Sequence, residues 1–466
     1  MCSACRGPTE RRMGLTQELA RFVAGLDAAA IPAQAIPTVR RGIADCVGVA
    51  FAGANEPVAG HAMALVDAAA AGASRIWTRP ESVAAADAAL VNATIAHALD
   101  FDDTGLDGHP SVVLAPVVLA EAERLGRCWR DAVTAYVAGY ETWAELIGRD
   151  QDKHHGKGWH PTAVFGVVAG AAAAACLRRL PAELVSDALG IAASMAGGLV
   201  ANFGSMTKPL QVGFAARNAI VAASLAERGV TAADDALESP RGLLAALSPA
   251  GRVRLDGPSG AGREWQIVRQ GLNVKRYPTC YATHRIIDAA LALHPHVSDR
   301  IGEIEEAVVE IGELQAAMLR SSRPETALDA KFSAQYTVAC ALARGHVDLQ
   351  DLTDETVKAP DVQQLLRKVR VATQAERDPL EPLFSPQDRL IVRLRDGSRL
   401  EAEPVHRALG HASRPIGDAA LRQKFLTCAS LMLEGAVADA WWASVMAAED
   451  ARVRWPAAPQ QRPGVI

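Results

Sequence analysis

Residues 161–177 read P-T-A-V-F-G-V-V-A-G-A-A-A-A-A-C-L, a run without a single charge and rich in alanine and glycine. It is short for a membrane span, and its small side chains suit a helix lying close between other helices. Apolar positions recur with helical spacing through it and on both sides of it, over residues 16–26, 39–53, 84–99, 112–125, 131–148, 162–177, 181–196 and 210–228. Short turns rich in glycine, proline and aspartate separate these stretches. Pro181 opens one helix, and R-G-V before Thr231 reads as a C-cap followed by a new N-terminus. Up to about residue 265 the expected fold is therefore all-helical.

Composition supports that reading. Hydrophobic residues make up 50% of the 466 positions but aromatic residues only 5%. Alanine, valine and leucine must then do the packing, which favours apposed helices over an aromatic-rich β-sandwich. The length allows two domains. A net charge of -5 with no basic block gives no footprint for nucleic acid. Eight scattered cysteines, of which only Cys2 and Cys5 have C-x-x-C spacing, form neither a disulfide framework nor a four-ligand zinc site. A soluble protein in a reducing, cytoplasmic compartment is expected. The first twelve residues, with Cys2 and Cys5, read as a frayed tail that lacks the apolar run of a secretory signal.

The period changes after about residue 262. E-W-Q-I-V and N-V-K-R-Y-P look extended, a helix is predicted over 281–293, and 304–311 has the pattern of a strand. Residues 329–344 read as a helix, whereas 368–372 and 389–403 alternate as strands, the latter about an Asp396-Gly397 hairpin turn. Helical periodicity returns over 418–448, and Pro456 onward reads as a loose tail. The predicted organisation is mostly α: an all-helical domain over 13–265, a smaller α+β lid domain over 266–405, and C-terminal helices over 406–458 returning to the first.

Chemistry concentrates in five segments. H-A-L-D-F-D-D-T-G-L-D-G-H-P-S, residues 97–111, holds Asp100, Asp102, Asp103, Asp107, Thr104 and two imidazoles. Burying such carboxylates costs several kcal/mol unless they are partnered, so the segment reads either as a solvated acidic loop or as a site for handling protons or substrate. G-K-G-W-H-P-T-A-V-F-G places His160 at the start of an alanine-rich helix, where the dipole favours a neutral imidazole. N-F-G-S-M-T-K-P-L-Q sets Lys208 before an apolar helix, where backbone amides and one ammonium could meet a carboxylate. N-V-K-R-Y-P-T-C-Y-A-T-H-R groups Lys275, Arg276, His284 and Arg285, with Cys280 reading as a packing residue. In A-K-F-S-A-Q-Y-T-V-A-C, Tyr336 sits within an apolar helix, as core phenols with one hydrogen bond often do. Dinucleotide, Walker A, zincin and G-x-S-x-G motifs are missing from the sequence.

Taken in order, H-A-L-D-F-D-D-T…H-P-S, G-W-H-x-x-x-x-F-G, F-G-S-M-T-K-P, K-R-Y-P-T-C-Y-A-T-H and K-F-S-A-Q-Y-T-V-A resemble the MmgE/PrpD family, from about residue 15 to Phe425. The resemblance implies a helical domain built from both termini, a lid domain, a homodimer, and catalysis between the domains without cofactor or metal. It implies His109, Asp100, His160 and Tyr336 as catalytic residues, and Thr104, Lys208 and Lys275 as ligands of a small anionic carboxylate. Neither nucleic acid nor membrane is expected as a partner. The implied activity is a lyase acting on a di- or tricarboxylate such as 2-methylcitrate or cis-aconitate, by proton transfer at a carbon alpha to a carboxylate. The alternatives are an epimerase of a dicarboxylate such as iminodisuccinate and, less favoured, a non-catalytic helical binding protein. Two departures stand out: the loop from Thr104 to His109 is about one residue shorter than in decarboxylase members, and Gln211 replaces a common histidine.

Overall fold

The computed structural model describes residues 13–67 and 71–456. The tail expected at 1–12 and, apart from Pro456 itself, the tail expected from Pro456 onward lie outside them. The chain divides into two compact units. One comprises Met1–Ala98, Thr104–Gly271 and Phe425–Ile466, and the other comprises Leu99–Asp103 and Leu272–Lys424.

In the first unit the principal helices are Leu15–Gly25, Ala35–Gly53, Ala85–His97, Ser111–Leu125, Trp129–Ile147, Pro161–Arg178, Ala182–Ser194, Thr207–Glu227 and Gly435–Val445. Pro161–Arg178 is long and apolar enough to cross a membrane, but 89% of it is buried within the protein. It packs against Trp129–Ile147, Ser111–Leu125 and Thr207–Glu227. Small residues make this approach possible: a Cβ on Gly170 would lie 2.7 Å from the Cβ of Ala219 on the neighbouring helix.

Three features of this unit differ from expectation. A two-stranded antiparallel ribbon, Ser74–Arg75 with Ser82–Val83, interrupts the helices, and Asn92 anchors the chain beside it by accepting from Trp77 N and donating to Arg75 O. No helix begins at Thr231. The chain leaves the Thr207–Glu227 helix through Gly229 at φ +87° and continues in turns: Asp187 accepts from Ala232 N, and Thr16 Oγ1 takes the Leu237 amide that a helix begun at Thr231 would have turned to an intrahelical carbonyl. Finally, E-W-Q-I-V runs into the short helix Gln266–Arg269. Its leading amides, Gln266 N and Ile267 N, donate to the buried Glu141 carboxylate, whose pKa burial raises to about 7.

The second unit carries a four-stranded sheet in the order Val369–Gln374, Ile304–Gly312, Arg389–Leu394, Arg399–Glu401. The first two strands are parallel and the remaining pairings antiparallel. A parallel pair needs a crossover, here supplied by Ala327–Lys331, Ala334–Arg344 and Pro360–Leu366. The expected helix over 329–344 is broken at Phe332 and Ser333, because the Ser333 hydroxyl caps the second helix by accepting from Tyr336 N. The Asp396-Gly397 turn forms as expected, with Gly397 at φ +85°. K-R-Y-P runs without regular strand pairing, and the predicted helix 418–448 is two helices, Asp418–Ala429 and Gly435–Val445.

This unit runs past residue 405 because several bonds hold the following loop. Asp388 and Val405 exchange backbone bonds, Val274 N donates to Gly410 O, and Asp288 accepts from Leu409 N and Arg414.

Candidate active site

In the first unit, two imidazoles gather around that of His97, the last residue of the Ala85–His97 helix. The His109 ring meets it edge-on at 4.6 Å between centroids, and the His160 ring stacks on it at 6.0 Å. His160 is the N-cap of the Pro161–Arg178 helix, with Pro161 in the first turn. The ring of Phe203 stands edge-on to His160 at 4.9 Å, and Lys208 Nζ lies 5.1 Å from the centre of that ring. Lys208 lies within the first turn of the Thr207–Glu227 helix, not ahead of it as expected. Pro209 is tolerated there because the first amides of a helix need no intrahelical acceptor.

His109 is placed by a tight turn. Gly105 and Gly108 exchange two backbone bonds of 2.9 and 2.8 Å, with Leu106 and Asp107 at φ +50° and +55°, as in a type I′ turn. Lys153 pairs with Asp107 at 2.6 Å and holds the tip. A Cβ on Gly108 would come within 3.0 Å of Thr162 Oγ1 and of the Trp143 ring, so the turn seats closely on the Pro161–Arg178 helix. Thr104 Oγ1 and Thr162 Oγ1 are buried without a hydrogen-bond partner among the described residues.

Gln211 sets the state of His160. Its side-chain amide donates to Leu199 O, so its oxygen faces His160 Nδ1 at 2.8 Å and must accept. Nδ1 therefore carries the proton, and Nε2 is a lone-pair acceptor, buried without a hydrogen-bond partner among the described residues. Burial, followed by the fields of His97 and Lys208, lowers the His160 pKa to about 2. His155 is lowered to about 4, again chiefly by burial. Neither is a proton carrier near neutral pH.

Gln211→Glu should raise the His160 pKa, because a carboxylate would then face Nδ1. In a pH titration followed by nitrogen NMR, the wild-type His160 signal should stay flat from pH 5 to 8, and the variant signal should move. A wild-type titration near 6.5 would contradict the assigned tautomer and its neutrality.

In the second unit, Asp100 takes φ +55° and pairs with Lys275, whose Nζ lies 3.3 Å from Asp100 Oδ1 and 2.5 Å from Asp100 O. Asp102 and Asp103 are fully buried. His284 is also buried, its Nε2 3.3 Å from Thr279 O, and its pKa is lowered to about 3, first by burial and then by Lys275. Tyr336 lies in the apolar core of this unit, its hydroxyl donating to Asp351 O.

Of the predicted residues, the structure thus groups His109 and His160 about His97 in one unit and Asp100 with Lys275 in the other. Thr104 and Lys208 belong to the first unit, and Tyr336 is packed inside the second. Sequence reasoning did not single out His97, although an imidazole ending an apolar helix just before D-F-D-D was a usable signal. It saw Gln211 only as a departure, because its role depends on a contact 51 residues away.

The chain is similar to cis-aconitate decarboxylase of Mus musculus, 29% identical over 437 residues that cover 90% of this chain and 87% of that protein. The Homo sapiens cis-aconitate decarboxylase is 29% identical over 432 residues, covering 90% and 88%. That of Aspergillus terreus is 27% identical over 458 residues, covering 92% and 91%. Residues 17–256 match the MmgE/PrpD N-terminal domain and residues 277–449 the MmgE/PrpD C-terminal domain, so the chain belongs to the MmgE/PrpD family.

Proposed function

We propose that this enzyme, a lyase, decarboxylates cis-aconitate or a closely similar tricarboxylate without a cofactor. The observation that carries the reading is the histidine group: His160 is held neutral, its tautomer fixed by Gln211, and His109, set by its tight turn, meets the His97 ring on which His160 stacks. The similarity to cis-aconitate decarboxylases over nine-tenths of the chain supports the substrate class.

The chemistry asks for little more than charge placement and one proton. Loss of carbon dioxide from the carboxymethyl arm breaks one C–C bond. Its electron pair forms a new terminal double bond, and the old double bond delivers its electrons to the carbon next to another carboxylate. That carbon takes up a proton, so the products are carbon dioxide and a methylidene dicarboxylate. In this reading Lys208 and Thr104 hold substrate carboxylates and stabilise the enediolate-like charge. His109 supplies the proton, and His160 accepts a hydrogen bond at Nε2. Asp100 takes part in proton handling, its carboxylate oriented by Lys275. Tyr336 has a packing role, since its hydroxyl is engaged inside the core. A homodimer and a cytoplasmic location belong to the same proposal, supported by the family resemblance and by the scattered cysteines.

Incubation of the purified protein with cis-aconitate, followed by proton NMR, should show new methylidene signals with matching release of carbon dioxide. Dehydration of 2-methylcitrate, or deuterium uptake into unchanged iminodisuccinate, with cis-aconitate left inert, would overturn the assignment in favour of another reaction.

A further inference from the structure

Within the second unit, three ammonium groups meet three consecutive backbone carbonyls. Lys331 Nζ donates to Leu99 O at 3.2 Å, Lys275 Nζ to Asp100 O at 2.5 Å, and Lys424 Nζ to Phe101 O at 2.8 Å. Lys424 also donates to Lys275 O and lies 3.8 Å from the centre of the Phe101 ring. Cys280 N donates to Lys331 O, which ties the Ala327–Lys331 helix to the loop that follows Lys275. The three lysines therefore come from a loop and two separate helices, yet act on one five-residue segment.

That segment is costly to hold. Leu99–Asp103 contains three carboxylates, two of them fully buried, and its second residue is in the left-handed region, which aspartate tolerates better than most residues but does not prefer. Lys275 and Lys424 are themselves almost completely buried. Burying two lysines is unfavourable unless their charge is used, and here Lys275 pairs with the Asp100 carboxylate while the N–H groups of all three lysines grip the backbone.

We propose that Lys331 and Lys424 are positioning residues that, with Lys275, form a clamp fixing Asp100 in its left-handed turn. The inference rests on the reading above in one respect, that Asp100 takes part in the reaction. Its consequence is geometric: a carboxylate displaced by about 1 Å can cost on the order of 100-fold in rate while substrate binding is little changed.

The test uses the full chain with Lys331→Met, Lys331→Arg and Lys424→Met. Lys331 is only half-buried, so its variants should fold even if Lys424→Met does not. Hydrogen exchange of the amides of residues 99–103 should speed up at least tenfold in Lys331→Met and return towards wild type in Lys331→Arg. With cis-aconitate, Lys331→Met should lower kcat tenfold or more and change KM less than twofold. Unchanged exchange in a folded Lys331→Met protein would overturn the clamp. Faster exchange with kcat intact would overturn its positioning role. A wild-type protein inert towards cis-aconitate would refute the substrate assignment and leave the exchange measurement to decide the clamp.

Discussion

His109→Ala should lower the turnover of cis-aconitate by roughly 100-fold or more while leaving the helical content unchanged. The size follows from losing a positioned acid–base group, which commonly contributes 10²–10⁴ in rate. The choice of His109 over His160 follows from protonation state and geometry. His160 is neutral, its pKa pushed down to about 2 by burial and by nearby positive groups, so it cannot deliver a proton near pH 7. His109 follows a turn whose two central residues have positive φ and whose Gly108 has no room for a side chain. The ring is thus held by backbone geometry against His97, and its loss should leave the surrounding helices in place. Steady-state kinetics with circular dichroism on the same sample decide the matter. A correctly folded variant with near-normal turnover would remove His109 from the mechanism and pass the proton to His97.

The largest loss of stability is expected for Glu121→Leu. Glu121 is fully buried on the Ser111–Leu125 helix and receives a two-pronged bond from Arg178 at 2.8 and 3.0 Å, together with Arg124 at 2.8 and 3.2 Å. Arg178 ends the Pro161–Arg178 helix and is itself only 3% exposed. Removing the carboxylate strands a guanidinium whose remaining charged partner, Glu227, is half in solvent, and breaking such a buried pair costs about 3–5 kcal/mol. Arg178→Met should cost less, because Glu121 keeps Arg124. The double variant should recover part of the loss, since two apolar groups then meet. Urea unfolding of the three variants tests this order. Equal stability of Glu121→Leu and wild type would show that the pair is energetically silent.

Much of the helical unit was legible because its signals are local. Apolar residues at helical spacing, a proline at a first turn and a glycine just past a last turn act through neighbours within four or five positions. The errors came where a distant group competed for the backbone. Thr16 holds the Leu237 amide that a helix after Thr231 would have used, and Glu141 draws Gln266 and Ile267 into a helical turn where an extended segment was expected. In the second unit the strands were visible as strands. Their order was not, because the parallel pairing of Ile304–Gly312 with Val369–Gln374 depends on how the intervening helices pack.

The candidate site divides in the same way. The sequence alone determined its chemical inventory: the imidazoles, Asp100, Thr104 and the lysines, in an order that marks the family and a mostly helical fold. The tertiary structure alone decided what each group is. Gln211 sets the tautomer of His160 from 51 residues away, and Lys424 grips Phe101 O from 323 residues away. Leu99–Asp103 belongs to a different unit from the residues on either side of it. The physical reason is that side-chain periodicity reports burial and local backbone conformation, whereas protonation and orientation are set by hydrogen bonds and fields between groups that only folding brings within a few ångströms.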